Sequence, residues 1–232
     1  MKILFFDTGP VISLTTNNLL WLLKELQEAF NGEFCITSRV KDELVERPLR
    51  TKKFKFEALQ VKRLLEKGVL KVYHHEKLEA MMAELLDSAN HVFSIKGNYL
   101  NIIHEGEVEV LASVILADAS ALVIDERTTR LLVEDPARLE YIFKRKFHTK
   151  IKVHQEALKR FQELVRGVKI IRSVELVTVA YERGLLDEYI TDFPDARKTL
   201  LQSVLWGVKL HGCSISHLEI DKIVKLETRK KR

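Results

Sequence analysis

Four acidic residues of this chain have the type and spacing to do chemistry together. Asp7 and Asp125 each come directly after an apolar run, and Glu43 and Glu107 lie where helices are predicted to begin. Carboxylates that meet in one place repel one another unless a positive group lies between them. The pattern therefore favours a site for a divalent cation. Mg²⁺ or Mn²⁺ is the expected ion, because both take oxygen ligands and no His or Cys cluster accompanies the acids.

The elements that must position these acids follow from the apolar runs. A run that is apolar at every position, such as residues 3–6 or 121–124, fits a strand buried on both faces of a parallel sheet. Residues 34–38 predict another strand, and residues 11–26 carry apolar side chains at helical spacing. Open α/β sheets bind ligands outside the carboxyl ends of their strands, which is where the two aspartates stand.

Two of the acids also have an ordinary structural explanation when each is taken alone. Asp7 fits a helix N-cap or turn residue ahead of Gly9 and Pro10. Glu43 fits a solvated glutamate in the first turn of a helix, where the helix dipole favours it. The prediction of a site therefore rests on several acids at equivalent positions.

The order of these residues resembles the PIN-domain nucleases. An early Asp, a helix-borne Glu, a Gly-Glu-x-Glu helix start at residues 106–109 and a strand that ends in Asp-Glu-Arg at residues 125–127 carry the resemblance. It covers roughly residues 1–145 and is closest to the VapC-like ribonuclease branch. The resemblance implies a Rossmann-like parallel sheet flanked by helices, with an acidic pocket that binds Mg²⁺ or Mn²⁺ and hydrolyses RNA phosphodiester bonds.

The resemblance also assigns roles to particular residues. The catalytic and metal-binding positions are matched by Asp7, Glu43, Glu107 and Asp125, and the accessory acids by Glu109 and Glu126. The neighbouring residues expected to contact substrate are Thr8, Ser38, Arg127 and Arg130.

The predicted organisation is an α/β catalytic domain over residues 1–150 and a mainly helical extension over residues 151–232. Residues 50–103 are longer than the link expected from the resemblance, and we predict a helical expansion there that covers the site or forms a lid. The extension suits a dimer interface or a substrate-recognition appendage. A helix-turn-helix DNA reader is the alternative, but Glu219 and Asp221 lie on its candidate recognition helix, where Arg, Asn or Gln would be wanted.

Composition sets further bounds. The chain has 232 residues, 46% of them hydrophobic, which is ample for a core, and its formal net charge is +5. No apolar run is long enough to cross a membrane, so a cytoplasmic protein is expected. Residues 50–55 and 143–150 are basic runs with interleaved aromatics, and residues 228–232 are basic too. These runs fit either RNA contacts or solvated helix faces.

The function predicted from the sequence is a metal-dependent endoribonuclease, with the toxin of a toxin–antitoxin pair as one form of it. RNA, an antitoxin protein and a second copy of the chain are the expected partners. The alternative is a PIN-fold protein that binds nucleic acid with little catalysis. A phosphatase or nucleotide-binding enzyme is disfavoured, because the chain has no Gly-rich phosphate loop.

Overall fold

The computed structural model describes residues 2–230. Of the basic C-terminal run, residues 231 and 232 lie outside the described part. In chain order the strands are β1 (Ile3–Phe6), β2 (Glu33–Ile36), β3 (Leu70–Val72), β4 (Phe93–Ile95), β5 (Asn98–Tyr99), β6 (Ala121–Val123), β7 (Lys152–Val153) and β8 (Ile170–Ile171). The helices are α1 (Thr8–Thr16), α2 (Leu22–Phe30), α3 (Ser38–Lys41), α4 (Arg47–Leu49), α5 (Lys55–Glu66), α6 (Leu78–Asn90), α7 (Glu105–Leu116), α8 (Arg127–Glu134), α9 (Pro136–Phe147), α10 (Gln155–Leu164), α11 (Ser173–Glu182), α12 (Ala196–Leu210) and α13 (His217–Lys230).

A five-stranded parallel sheet organises the molecule, in the order β3-β2-β1-β6-β8. Helices connect its strands, as parallel pairing requires. The middle strand β1 is apolar at every position, and its Phe5 and Phe6 are fully buried between the layers. The predicted α/β fold, with a parallel central sheet flanked by helices and further helices at the C-terminal end, is confirmed.

The helix predicted over residues 11–26 is two helices. The chain leaves α1 at Asn17, and Asn18 adopts the left-handed conformation with φ 57°. Asn tolerates this conformation better than most residues, because its short side chain can form hydrogen bonds locally. The break turns the chain, and α2 then buries an apolar face of Leu22, Leu23 and Leu26.

The predicted expansion at residues 50–103 is more than helical. It contributes β3 to the edge of the central sheet and the hairpin of β4 and β5 to a second, antiparallel sheet, in the order β5-β4-β7. Strands β7 and β8 lie beyond residue 150, yet they pair with β4 and β6. Residues 1–150 and residues 151–232, predicted as domain and extension, therefore both contribute strands to each sheet.

Between residues 2 and 230, no helix has both the length and the apolar character required to cross a bilayer.

Candidate active site

Asp7 lies where β1 ends and α1 begins. Its backbone N–H donates to the carbonyl of Val123 at 2.9 Å, next to the pairing of β1 with β6. Its side chain caps α1 by accepting a hydrogen bond from the N–H of Gly9 at 3.4 Å. The strand therefore delivers this carboxylate to the carboxyl edge of the central sheet.

Glu43 reaches the same edge from a different element. It lies in a π-helical turn, Asp42–Glu46, that joins α3 to α4. Its Oε2 accepts a hydrogen bond from the hydroxyl of Thr8 at 2.7 Å. Gly106, in α7, faces the other oxygen, because a Cβ at that position would lie 3.6 Å from Glu43 Oε1. Turns of this kind are rare and occur frequently at functional sites.

Glu107 is the third acid, in the first turn of α7. Its Oε2 accepts a hydrogen bond from the N–H of His104 at 2.8 Å, which closes the start of the helix. Burial raises the pKa of Glu107, and the nearby carboxylate of Glu126 raises it further. Glu126 itself caps α8 by accepting hydrogen bonds from the N–H groups of Thr128 and Thr129 at 2.7 and 2.6 Å.

The charges of these residues meet at Asp7. Burial raises the pKa of Asp7 to about 7, and the carboxylates of Glu107 and Glu43 add to the shift, while the N–H groups of Thr8 and Gly9 oppose it. Four carboxylates carried by different elements are thus linked through their charge interactions. We call this set the acid cluster: Asp7, Glu43, Glu107 and Glu126.

Asp125 is directed elsewhere. Its backbone stands beside the acid cluster, since a Cβ on Gly9 would lie 3.7 Å from Asp125 Cβ. Its carboxylate, however, accepts hydrogen bonds from the N–H and the hydroxyl of Ser173, both at 2.8 Å. The side chain is 3% exposed, and burial raises its pKa while the hydrogen bonds from Ser173 and Cys213 lower it. This carboxylate therefore holds the start of α11.

Glu109 joins two helices. It is 5% exposed, and its Oε2 accepts a hydrogen bond from the N–H of Arg39 at 3.0 Å, near the start of α3. The guanidinium of Arg39 pairs with Glu105 at 2.9 Å. Both contacts tie α3 to α7, which fixes the π-helical turn against the helix that carries Glu107.

The four residues predicted to contact substrate lie in different surroundings. Thr8 donates its hydroxyl to Glu43, and exposed Ser38 lies beside a separate cleft with His74 and His75. The Nε of Arg127 donates to the Ser214 hydroxyl at 3.0 Å. Arg130 pairs with Glu134 at 3.1 Å along α8. In the described contacts, Thr8 is the one of these four residues that bonds directly to the acid cluster.

The acid cluster fits a hard divalent cation by its donor chemistry. Its members offer carboxylate oxygens alone, and burial raises the pKa of Asp7 while the charges of Glu107 and Glu43 add to the shift. Over residues 2–230, no three His, Cys, Asp or Glu side chains are arranged closely enough to hold a metal ion as they stand. Binding would therefore require the carboxylates to turn toward the ion.

Sequence reasoning missed Ser173 and the position of Gly106 against Glu43. Nothing in the sequence indicates that Ser173 is the partner of Asp125, because the two residues are 48 positions apart. Gly106 was marked as a helix-start residue, and its closeness to Glu43 follows only from the packing of α3 and the π-helical turn against α7.

Comparison with known proteins places this arrangement in a family. A family model described as DUF3368, a PIN domain, matches residues 3–135, which is more than half of the chain. Among the curated proteins, no sequence matches. One similar solved structure is VapBC2 from Rickettsia felis bound to a DNA fragment from its promoter, with 17% identity and a TM-score of 0.45 over 73% of this chain and 98% of that one. Similarity at that level supports no inference about function. The match of the family model, which spans every member of the acid cluster, shows that this chain belongs to the PIN-domain family.

Proposed function

We propose that the protein is a metal-dependent endoribonuclease whose active site is the acid cluster. The observation that carries the proposal is that Asp7, Glu43 and Glu107 lie at one edge of the sheet near enough to interact through their charges, although they come from a strand end, a π-helical turn and a helix start. Burial raises the pKa of Asp7, and the carboxylates of Glu107 and Glu43 raise it further. Membership of the PIN-domain family supports a nuclease.

Each residue of the cluster has a task in this proposal. Asp7, Glu43, Glu107 and Glu126 would hold Mg²⁺ or Mn²⁺, and the Thr8 hydroxyl fixes the Glu43 carboxylate. The bound ion would neutralise charge on the phosphate and stabilise the leaving oxygen. Asp125, predicted from the sequence as a ligand, is proposed instead as a positioning residue, because its carboxylate is buried against Ser173 with 3% exposure, whereas Glu126 is half-buried and its charge acts on Glu107. Glu109 likewise positions α3.

The reaction is hydrolysis of a phosphodiester. Water adds to phosphorus, one P–O bond breaks, and one proton passes from the water to the leaving oxygen, which gives a phosphate monoester and a free hydroxyl. A cluster without metal repels the phosphate of RNA, so activity would depend on the ion. The VapC-like branch, the toxin role and the antitoxin partner are predictions from the resemblance and remain part of this proposal. The homodimer, predicted from the apolar C-terminal extension, is part of it too.

The test is cleavage of a mixed single-stranded RNA by the purified protein with Mn²⁺ or with EDTA. We expect cleavage by the wild type with Mn²⁺, no cleavage with EDTA, and no cleavage by Asp7→Asn. Glu28→Gln is the matched control, because Glu28 is an exposed acid on α2 that pairs only with Lys24 among the salt bridges described. Cleavage by Asp7→Asn at the wild-type rate would refute the site.

A further inference from the structure

A narrow apolar slot opens beside the acid cluster. Its cavity volume is about 110 Å³, and its walls come from α1, the π-helical turn with α4, and the start of α5. Ile12 and Phe54 contribute apolar surface to it, and Glu43 lies in the wall. Small-molecule pockets are typically about 300–1,000 Å³, so this slot suits a single flat ring rather than a larger ligand.

Phe54 is held in an unusual way for an aromatic residue. Its backbone is left-handed, with φ 61° and ψ 20°, although a bulky residue is disfavoured there, and its side chain is 60% exposed. The preceding turn is braced by Thr51, whose hydroxyl lies 3.1 Å from the Pro48 carbonyl and 3.0 Å from the Lys53 carbonyl. With 60% of its surface exposed, the Phe54 ring is accessible from the slot to a ligand.

The charges around Phe54 favour a polyanion. The four neighbouring cations are all exposed: Arg50, Lys52, Lys53 and Lys55. Among the salt bridges of residues 2–230, none involves any of these four, so their charge is available. Basic side chains that surround an exposed aromatic are the combination that binds single-stranded nucleic acid, because phosphates pair with the cations while a base stacks on the ring.

The polar groups of the slot accept hydrogen bonds rather than donate them. Glu43 and Glu57 contribute carboxylates. The hydroxyls of Thr15 and Thr16 donate to carbonyls of α1, at 2.6 Å to Val11 and 2.9 Å to Ile12. An acceptor-lined slot favours a base that brings its own donors. Cytosine, adenine and guanine each carry an exocyclic amino group. Uracil has a carbonyl at the position of the amino group of cytosine.

We infer that this slot binds an unpaired, amino-bearing nucleobase of the RNA whose phosphate lies at the acid cluster. The inference rests on the proposed function, which makes RNA the nucleic acid that is bound. Glu43 belongs to both places, so the bound base would belong to a nucleotide next to the phosphate that is cleaved. Phe54 would stack on the base, and Glu57 would select it.

The experiment measures binding by fluorescence anisotropy in Mn²⁺, and every protein carries Asp7→Asn so that the RNA stays intact. Wild type here means a chain that is otherwise unchanged. Three labelled ten-nucleotide probes of equal charge are compared: oligocytidine, oligouridine and a fully abasic strand. We expect the wild type to bind oligocytidine most tightly and the abasic strand about tenfold or more weakly, as stacking of one or more bases predicts. A wild type that binds all three equally would overturn the inference.

Three variants locate the effect. Phe54→Ala should weaken oligocytidine binding by about tenfold, to the abasic level. Glu57→Gln should abolish the preference for oligocytidine over oligouridine, because an amide both donates and accepts. Leu59→Ala is the matched control, an exposed apolar residue of α5 outside the slot, and should bind as the wild type does.

The remaining outcomes separate the two proposals. The expected binding order without any cleavage in Mn²⁺ would support the slot and refute the nuclease. Cleavage in Mn²⁺ with equal binding by Phe54→Ala and the wild type would support the nuclease and refute the slot. If an apolar peptide bound the wild type but not Phe54→Ala, while RNA bound both equally, the slot would belong to a protein segment and the inference would fall.

Discussion

Asp125 and Ser173 are joined by two hydrogen bonds, one from the Ser173 N–H to Oδ1 and one from its hydroxyl to Oδ2, both 2.8 Å long. The Asp125 carbonyl also accepts a hydrogen bond from the N–H of Ser214 at 3.2 Å. One residue at the end of β6 thus holds both the start of α11 and the turn before α13. The C-terminal helices are fixed to the central sheet at the residue next to the acid cluster.

Replacing Asp125 should therefore reduce stability more than it affects metal binding. Asp125→Ala removes the acceptor of a buried N–H, and we expect a loss of about 1–3 kcal/mol in the free energy of unfolding. For a chain of this size that lowers the melting temperature by roughly 2–4 °C for each kcal/mol. Mn²⁺ should still raise the melting temperature of the variant. If Mn²⁺ did not raise the melting temperature of a folded Asp125→Ala protein, Asp125 would be a metal ligand.

Replacing Glu126 should instead affect metal binding more than stability. Its charge lies close to Glu107, so Glu126→Gln should lower the pKa of Glu107 and weaken the binding of a divalent ion. We expect Mn²⁺ to raise the melting temperature of the variant less than that of the wild type. Glu134→Gln, on the same helix α8, serves as the control and should respond to Mn²⁺ as the wild type does. Equal responses of Glu126→Gln and the wild type would exclude Glu126 from the metal site.

Thr8 should act through Glu43. Thr8→Val removes the hydroxyl that donates to Glu43 Oε2, and Thr8→Ser keeps it. We expect Thr8→Val to lower kcat about tenfold, which corresponds to a hydrogen bond of about 1.4 kcal/mol to a charged group. Thr8→Ser should recover most of the rate. A Thr8→Ser variant as slow as Thr8→Val would show that the hydroxyl is not what positions Glu43.

Stability should depend on pH through Asp7. Its pKa rises from 3.8 to about 7 on folding, mainly because of burial. Between these pH values the folded state holds a proton that the unfolded chain has released, so stability falls as pH rises from about 4 to about 7 and then levels off. Urea unfolding in EDTA at several pH values measures this slope.

The Asp7→Asn variant provides the comparison for that slope. We expect it to lose less stability than the wild type over the same pH range, because residue 7 no longer titrates. Part of the slope remains, since the pKa values of Glu107 and Asp125 are also raised. Identical slopes for the variant and the wild type would show that Asp7 does not titrate in this range.

The sequence was informative wherever a local pattern determines the position of a residue. The buried run of β1 places Asp7 at the strand end. The predicted helix starts place Glu107, and they place Glu43 to within one helical turn. The different surroundings of Asp125 and Glu126 could not be predicted from the sequence. The contact of Asp125 with Ser173 joins residues that are 48 positions apart, which no local pattern encodes.

The other differences have similar causes. The π-helical turn at Glu43 depends on the contacts of α3 with α7, which no local propensity encodes. Strand β7 is two residues long, too short for a periodic pattern, and it pairs with β4 from an earlier part of the chain. Tertiary context, not composition, places it.

The position of β8 at the edge of the central sheet bears on how the protein is made. Every residue of the acid cluster precedes the strand that covers β6, so a chain emerging from the ribosome contains the cluster before its sheet is closed. At about 5–20 residues per second, the interval lasts a few seconds, with the unpaired edge of β6 open to another chain. Throughout that time the Asp125 carboxylate lacks the hydrogen bonds that Ser173 later donates to it. Synthesis of β8 and the start of α11 then ends both exposures together, because one covers the edge of β6 and the other supplies Ser173.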